Sequence, residues 1–115
     1  MSVQRFDTGA RLSKIVVHGD TVYLAGMVAE DPSADTKGQT EQILRKIDAA
    51  LKNVGSDKSK LLSAQIFITD MRNFADMNSV WDTWVDKANT PARATVEASL
   101  ANPRMLVEIM VVAAI

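Results

Sequence analysis

Apolar positions along the chain change their period several times, and each change marks an element. Ile15-Val16-Val17-His18 and Thr21-Val22-Tyr23-Leu24-Ala25-Gly26 are two β-branched runs around a Gly19-Asp20 pair, which predicts a β-hairpin. Residues 30–38, Glu-Asp-Pro-Ser-Ala-Asp-Thr-Lys-Gly, are polar and rich in turn formers and predict a loop. Beyond them Ile43, Leu44, Ile47, Leu51 and Val54 recur at spacings of three and four, the signature of a long amphipathic helix, and Gly55 stands where a C-terminal cap belongs. Leu62, Ala64, Ile66 and Ile68 then alternate with Ser63, Gln65, Phe67 and Thr69, which predicts a strand with one strongly apolar face. Phe74, Met77, Trp81, Trp84 and Val85 line one face of a second helix. Asn73 and Asp76 form an N-cap arrangement at its start, and Lys87-Ala88-Asn89 mark its end before Pro91. Residues 93–100 alternate again, and Asn102-Pro103-Arg104 turn into Met105–Ile115, an almost wholly apolar last strand.

The order is β-β-α-β-α-β-β, with a short extra strand at Val3–Phe6, and it predicts an α+β domain in which one sheet is covered by two helices. In the last strand Val107, Ile109, Val111 and Ala113 point one way, while Leu106, Met110, Val112 and Ala114 point the other. Two helices cover one face of such a sheet. The other face would leave an apolar patch in water, so the pattern predicts a homo-oligomer that hides it.

At 115 residues the chain has room for one domain, spanning 1–115. Thirteen basic against 14 acidic residues give a net charge of −1, which offers no long-range attraction to phosphate polymers or anionic lipid, so neither nucleic acid nor a membrane is the expected partner. With no Cys there is no disulfide, thiolate metal site or cysteine nucleophile. The first residues carry acidic and basic groups and no apolar core of a signal peptide, and the expected location is the cytoplasm.

Candidate chemistry is sparse. The five Gly are too dispersed for a phosphate-cradling loop, and His18, the only histidine, reads as a solvated turn residue because nothing adjacent orients it. Trp81 and Trp84 share the apolar helix stripe and read as core. Glu41, Arg45, Lys46, Asp48 and Lys52 read as the solvated face of the first helix. Three charged residues are harder to dismiss. Glu108 stands between Val107 and Ile109, where a carboxylate is costly unless paired, hydrogen-bonded or beside a wet cleft. Arg93 opens a strand after Pro91-Ala92 and offers a planar guanidinium to a small carboxylate, and Glu97 shares its parity. A buried ion pair and a ligand site are both open readings of these three.

Pro91-Ala92-Arg93-Ala94-Thr95-Val96-Glu97, with Asn102-Pro103 and Val107-Glu108-Ile109 after it, closely resembles the C-terminal signature of the Rid (YjgF-like) family of enamine/imine deaminases. Thr21–Gly26 is similar to the family's early strand, Ile47-Asp48-Ala49-Ala50-Leu51 with Val54-Gly55 to its first helix, and Phe67-Ile68-Thr69-Asp70 with Asn73-Phe74 and Asn78 to its middle. The short length, Arg11-Leu12-Ser13 and the paired Trp residues look most like the YoaB-like branch.

The resemblance implies a chorismate-mutase-like α+β fold, a mixed sheet with two helices on one face, and a homotrimer with small-ligand clefts between subunits. It implies that Arg93 binds a substrate carboxylate and that Glu108 positions or activates the water that attacks an imine carbon, with no metal or organic cofactor. Asn78 and the backbone near Ala94-Thr95 would shape the cleft. The family's best-known deaminases carry a Cys where this chain has Thr95 and an aromatic residue where it has Arg11-Leu12. Thiol chemistry is thereby removed, and Arg11 could hold a second carboxylate or a phosphate. A different class of function, a non-catalytic trimer that senses a small carboxylate, uses the same Arg93. An endoribonuclease or translation-inhibitor role, attributed to some relatives, would need a basic groove with exposed aromatics. Whether Arg93 and Glu108 meet within one chain or across an interface depends on strand register.

Overall fold

The computed structural model describes residues 1–115 and contains one six-stranded sheet and two α-helices. In chain order the elements are β1 (Val3–Thr8), β2 (Ser13–His18), β3 (Thr21–Leu24), α1 (Thr36–Asn53), β4 (Leu61–Ile68), α2 (Phe74–Trp84), β5 (Ala92–Glu97) and β6 (Val107–Ala114). In space the strands run β1-β2-β3-β6-β4-β5. All neighbours are antiparallel except β4 and β5, whose parallel pairing needs a crossover, and α2 provides it. The strand anticipated at Val3–Phe6 is present and extends to Thr8. No helix is long and apolar enough to cross a membrane.

Local chemistry explains the boundaries. Gly19, at φ +60°, takes the first central position of the β2–β3 turn, a conformation that favours a residue without Cβ. Asp35 caps α1 by accepting from the Gly38 N–H at 2.8 Å. At its other end Ser56 N bonds to Leu51 O and Gly55 N to Lys52 O, with Gly55 at φ +81°, a Schellman closure at the expected glycine. The start of α2 departs from expectation, because Asn73 makes no side-chain cap. Asp70 instead accepts from Arg72 N at 2.9 Å and sets a 3-10 turn, Met71–Asn73, that feeds the helix. The helix also stops at Trp84, short of Lys87–Asn89, since Val85 is extended and Asp86 accepts from Ala88 N in a local turn that competes with helix.

Both helices lie on one face of the sheet. Ile15, Val17, Val22, Ala64, Ile66, Ile68, Val107, Ile109, Val111 and Ala113 pack under Ile43, Leu44, Ile47 and Leu51 of α1 and Met77, Val80 and Trp81 of α2. Two apolar residues assigned to this core by spacing leave it. Leu62 falls at a register shift in β4, which puts Leu61 inside and Leu62 half in water. Phe74, in the first turn of α2, is 37% exposed. Gln39, by contrast, is fully buried. Its amide donates to Pro32, Ala34 and Arg104 carbonyls and accepts from Leu106 N, tying the loop before α1 to the entry of β6. The opposite face of the sheet is uncovered, with Tyr23, Val96 and Met110 at 46, 40 and 38% exposure.

Candidate functional site

Arg93 and Glu108 are carried by strands on either side of β4, and register decides where each one points. Arg93 stands beside Ala64, on the face covered by the helices, and its half-buried side chain reaches α2, where Nη1 donates to Asn78 Oδ1 at 2.8 Å. Glu108 stands beside Phe67 and alternates with the buried Val107 and Ile109, so it belongs to the open face. Three residues along β4 separate the two levels, about 10 Å at the usual rise, with the sheet itself between the side chains. Within one chain the guanidinium and the carboxylate do not meet.

Neither residue belongs to an ion pair, which removes the buried-ion-pair reading. The salt bridges of the chain are Lys46–Glu30 and Arg72–Asp70. Glu97, exposed at the end of β5, accepts from Met71 N at 2.8 Å and so braces the turn before α2 instead of neutralising Arg93. Arg93 therefore has one of its five N–H donors engaged by a side chain of its own chain. Glu108 is only half-buried, which relieves the cost expected for a carboxylate in so apolar a strand.

The Glu108 carboxyl lies against Gly26. A Cβ at residue 26 would come within 2.8 Å of Glu108 Cδ and 3.2 Å of Cγ, so the glycine makes the space the carboxylate occupies. Met27 is bridged to Ile109 by two backbone bonds of 2.8 and 3.0 Å, which hold Gly26 beside Glu108. The following segment is tied to α1 by Lys46, whose Nζ donates to Val28 O at 2.8 Å and pairs with Glu30 at 2.9 Å. The hydrogen bond that Lys46 donates to the Glu30 carboxylate, with the ammonium charge, holds that carboxyl below its ordinary range. Lys46 is thus a brace and not a solvated residue of α1. Asp48 likewise accepts from Trp84 Nε1 at 2.9 Å.

The other candidates divide between the same two regions. Asn78 joins Arg93. Thr95 shares the Arg93 face of β5, and its hydroxyl is enclosed without a hydrogen-bond partner. Arg11 is exposed in the Gly9–Leu12 turn, closed by Gly9 N to Leu12 O and a Thr8–Ser13 hydroxyl contact of 2.9 Å. It projects from the β1–β2 edge, far across the sheet from Arg93 but at the end where Ala25 N bonds to Lys14 O, on the way to Gly26. His18 is exposed at the end of β2. Sequence reasoning missed Gly26 as a site residue. The sequence carried only a weak signal, a glycine closing the Thr21–Gly26 run, because the pairing of that strand with the one bearing Glu108 emerges from the sheet order.

A family model described as Endoribonuclease L-PSP matches residues 2–115. The RutC family protein YoaB of Escherichia coli K12 is 46% identical over 115 residues, covering all of both chains. A RutC family protein of Haemophilus influenzae is 45% identical over 114 residues, covering 98% of each. Among solved structures, a member of the YjgF protein family from Neisseria meningitidis superposes with a TM-score of 0.96 at 43% identity, covering 99% of this chain and 95% of that one. An uncharacterised protein from Pseudomonas aeruginosa gives 0.96 at 43% identity and 98% coverage of both. Matches that run end to end at these identities establish what the strand signature suggested: the chain belongs to the Rid (YjgF-like) family, in its YoaB-like branch.

Proposed function

We propose that the protein is an enamine/imine deaminase that hydrolyses 2-imino acids of the 2-aminoacrylate type to 2-oxo acids and ammonia. The supporting observation is the pair of half-sites, an arginine held by an amide with most of its donors unspent and a carboxylate lying over a glycine on the other sheet face. Arg93 binds the substrate carboxylate through two of its free N–H groups. Glu108 takes a proton from water as the oxygen adds to the iminium carbon. The carbinolamine nitrogen, once protonated, leaves as ammonia while the oxygen loses its proton and the C=O bond forms. An iminium carbon is already electrophilic, so orientation and water placement suffice without a protein nucleophile.

The two halves face each other only when a second copy brings its open face to the Arg93 edge of the first. The reading therefore includes a homotrimer whose clefts combine Arg93, Asn78 and the backbone at Thr95 from one copy with Glu108, Gly26 and Arg11 from its neighbour. The uncovered Tyr23, Val96 and Met110 supply apolar surface for such an assembly, which closes by symmetry. The trimer acts in the cytoplasm, without a metal or organic cofactor.

The test is release of ammonia and 2-oxo acid from imines generated in situ by an amino-acid oxidase, across a panel of amino acids. Wild type accelerates release, and Arg93→Ala and Glu108→Gln both lose the acceleration. If no imine is hydrolysed faster while 2-oxo acids still bind through Arg93, the chain is a carboxylate-binding trimer and not an enzyme.

A further inference from the structure

Arg93 is oriented by aromatic rings as well as by an amide. Its guanidinium carbon lies 5.3 Å from the Trp81 ring centre and 5.9 Å from that of Phe74, both within the ~6 Å over which a ring face attracts a cation. Phe74, Asn78 and Trp81 follow one another at spacings of four and three along α2, so they form a single stripe facing β5. Asn78 fixes Nη1 from the middle of that stripe. The rings restrain the guanidinium without spending its donors, because a π face attracts the charge but accepts none of the N–H bonds a carboxylate needs. An acidic neighbour would orient the group equally well and occupy it. Glu97, the acidic residue on the same face of β5, is turned away to Met71 N.

The two rings differ in what else explains them. Trp81 is a core residue, tilted against Trp84 with ring centres 5.3 Å apart. Phe74 leaves more than a third of its surface in water at the start of α2, so core packing does not account for an aromatic residue there.

We propose that Phe74 and Trp81 are positioning residues that hold the Arg93 guanidinium ready for a carboxylate, and that Trp81 consequently senses its occupancy. The proposal rests on the assignment of Arg93 as the carboxylate binder. Preorganisation lowers the entropy lost when a flexible arginine is immobilised by its ligand, so it strengthens ground state and transition state alike.

The test compares Phe74→Leu and Phe74→Tyr with wild type in the full-length chain. In Phe74→Leu the Arg93 Nε–Hε group becomes more mobile by 15N relaxation, and KM for imino acids rises about three- to tenfold with kcat nearly unaffected. Phe74→Tyr, which keeps the ring, restores both. In Trp84→Phe, where Trp81 is the remaining indole, 2-oxobutanoate changes the emission saturably. Wild-type Arg93 mobility and KM in Phe74→Leu would overturn the positioning role, as would a loss confined to kcat. An emission that does not respond to bound 2-oxobutanoate would overturn the sensing. Should wild type hydrolyse no imine, a Phe74→Leu chain with a looser Arg93 and three- to tenfold weaker 2-oxobutanoate binding still supports the bracket, and only the deaminase reading fails. If 2-oxobutanoate does not bind wild type at all, the bracket serves no carboxylate and the proposal falls.

Discussion

On the helix side of the sheet Arg93 is surrounded by side chains of its own chain, an amide and two rings, whereas on the open side Glu108 rests over the backbone of Gly26 and makes no side-chain hydrogen bond. One side chain is held in place by its own chain, and the other lies in a space that a glycine keeps clear. The difference follows from layering. A sheet face under helices meets many side chains and can hold a flexible arginine, while an uncovered face has only its own strands and whatever a second copy brings.

The sharpest way to break this comparison is subunit mixing. Arg93→Ala and Glu108→Gln chains, each inactive, are unfolded together and refolded at equal amounts. A site shared between copies recovers about a quarter of wild-type activity, because that share of interfaces pairs an intact Arg93 with an intact Glu108. Recovery of none would mean both residues act within one chain. Next in size is Gly26→Ala, whose Cβ would meet the Glu108 carboxyl. It should lower kcat by about 10- to 100-fold through a misplaced base, while 2-oxo-acid binding at Arg93 persists.

The two faces should also differ in stability. Ile109, fully buried under the helices, should cost about 2–5 kcal/mol of unfolding free energy when truncated to Ala. Met110, its neighbour on the open face, should cost the isolated chain under about 1 kcal/mol on truncation, and a charge there, Met110→Glu, should appear as loss of assembly in light scattering. Equal costs in denaturant titrations of the two Ala variants would show the open face to be as buried as the core.

The smallest effect expected is that of mild acid. Asp31, Asp57 and Asp70 are held below the ordinary carboxylate range by hydrogen bonds, from Ser33, Ser59 and Arg72 in turn. Groups lowered in the folded state bind protons first in the unfolded chain, so their contribution is complete above the unfolded Asp value near 3.9 and fades as pH falls through the lower folded values. Denaturation midpoints should therefore hardly move, through these groups, between pH 7 and 5, and should fall below about pH 4. A decline already complete by pH 5 would place the sensitive group elsewhere.

Much of this architecture was legible without coordinates. Alternation and three-four spacing predicted the hairpin, α1, β4 and β6, because which residues can be buried on a regular element depends on its period alone. The helix stop at Gly55 and the apolar second face of β6 were equally local facts. What misled was chemistry with more than one local solution. Asn73 and Asp76 looked like a cap, but Asp70 captured the turn before them. Lys46, Asp48 and Gln39 carry no period that announces a partner on another element, and each found one after folding.

By itself the sequence determined the family, most of the elements and the apolar face left over, and it singled out Arg93 and Glu108 as candidates, since residue identity and spacing are written in it directly. Only the tertiary structure decided that Arg93 and Glu108 stand on opposite faces, that Glu97 braces a turn instead of an arginine, and that Gly26 makes room for a carboxylate. Those outcomes depend on which strand lies beside which and in what register, and a shift of a single residue would have turned either side chain through the sheet.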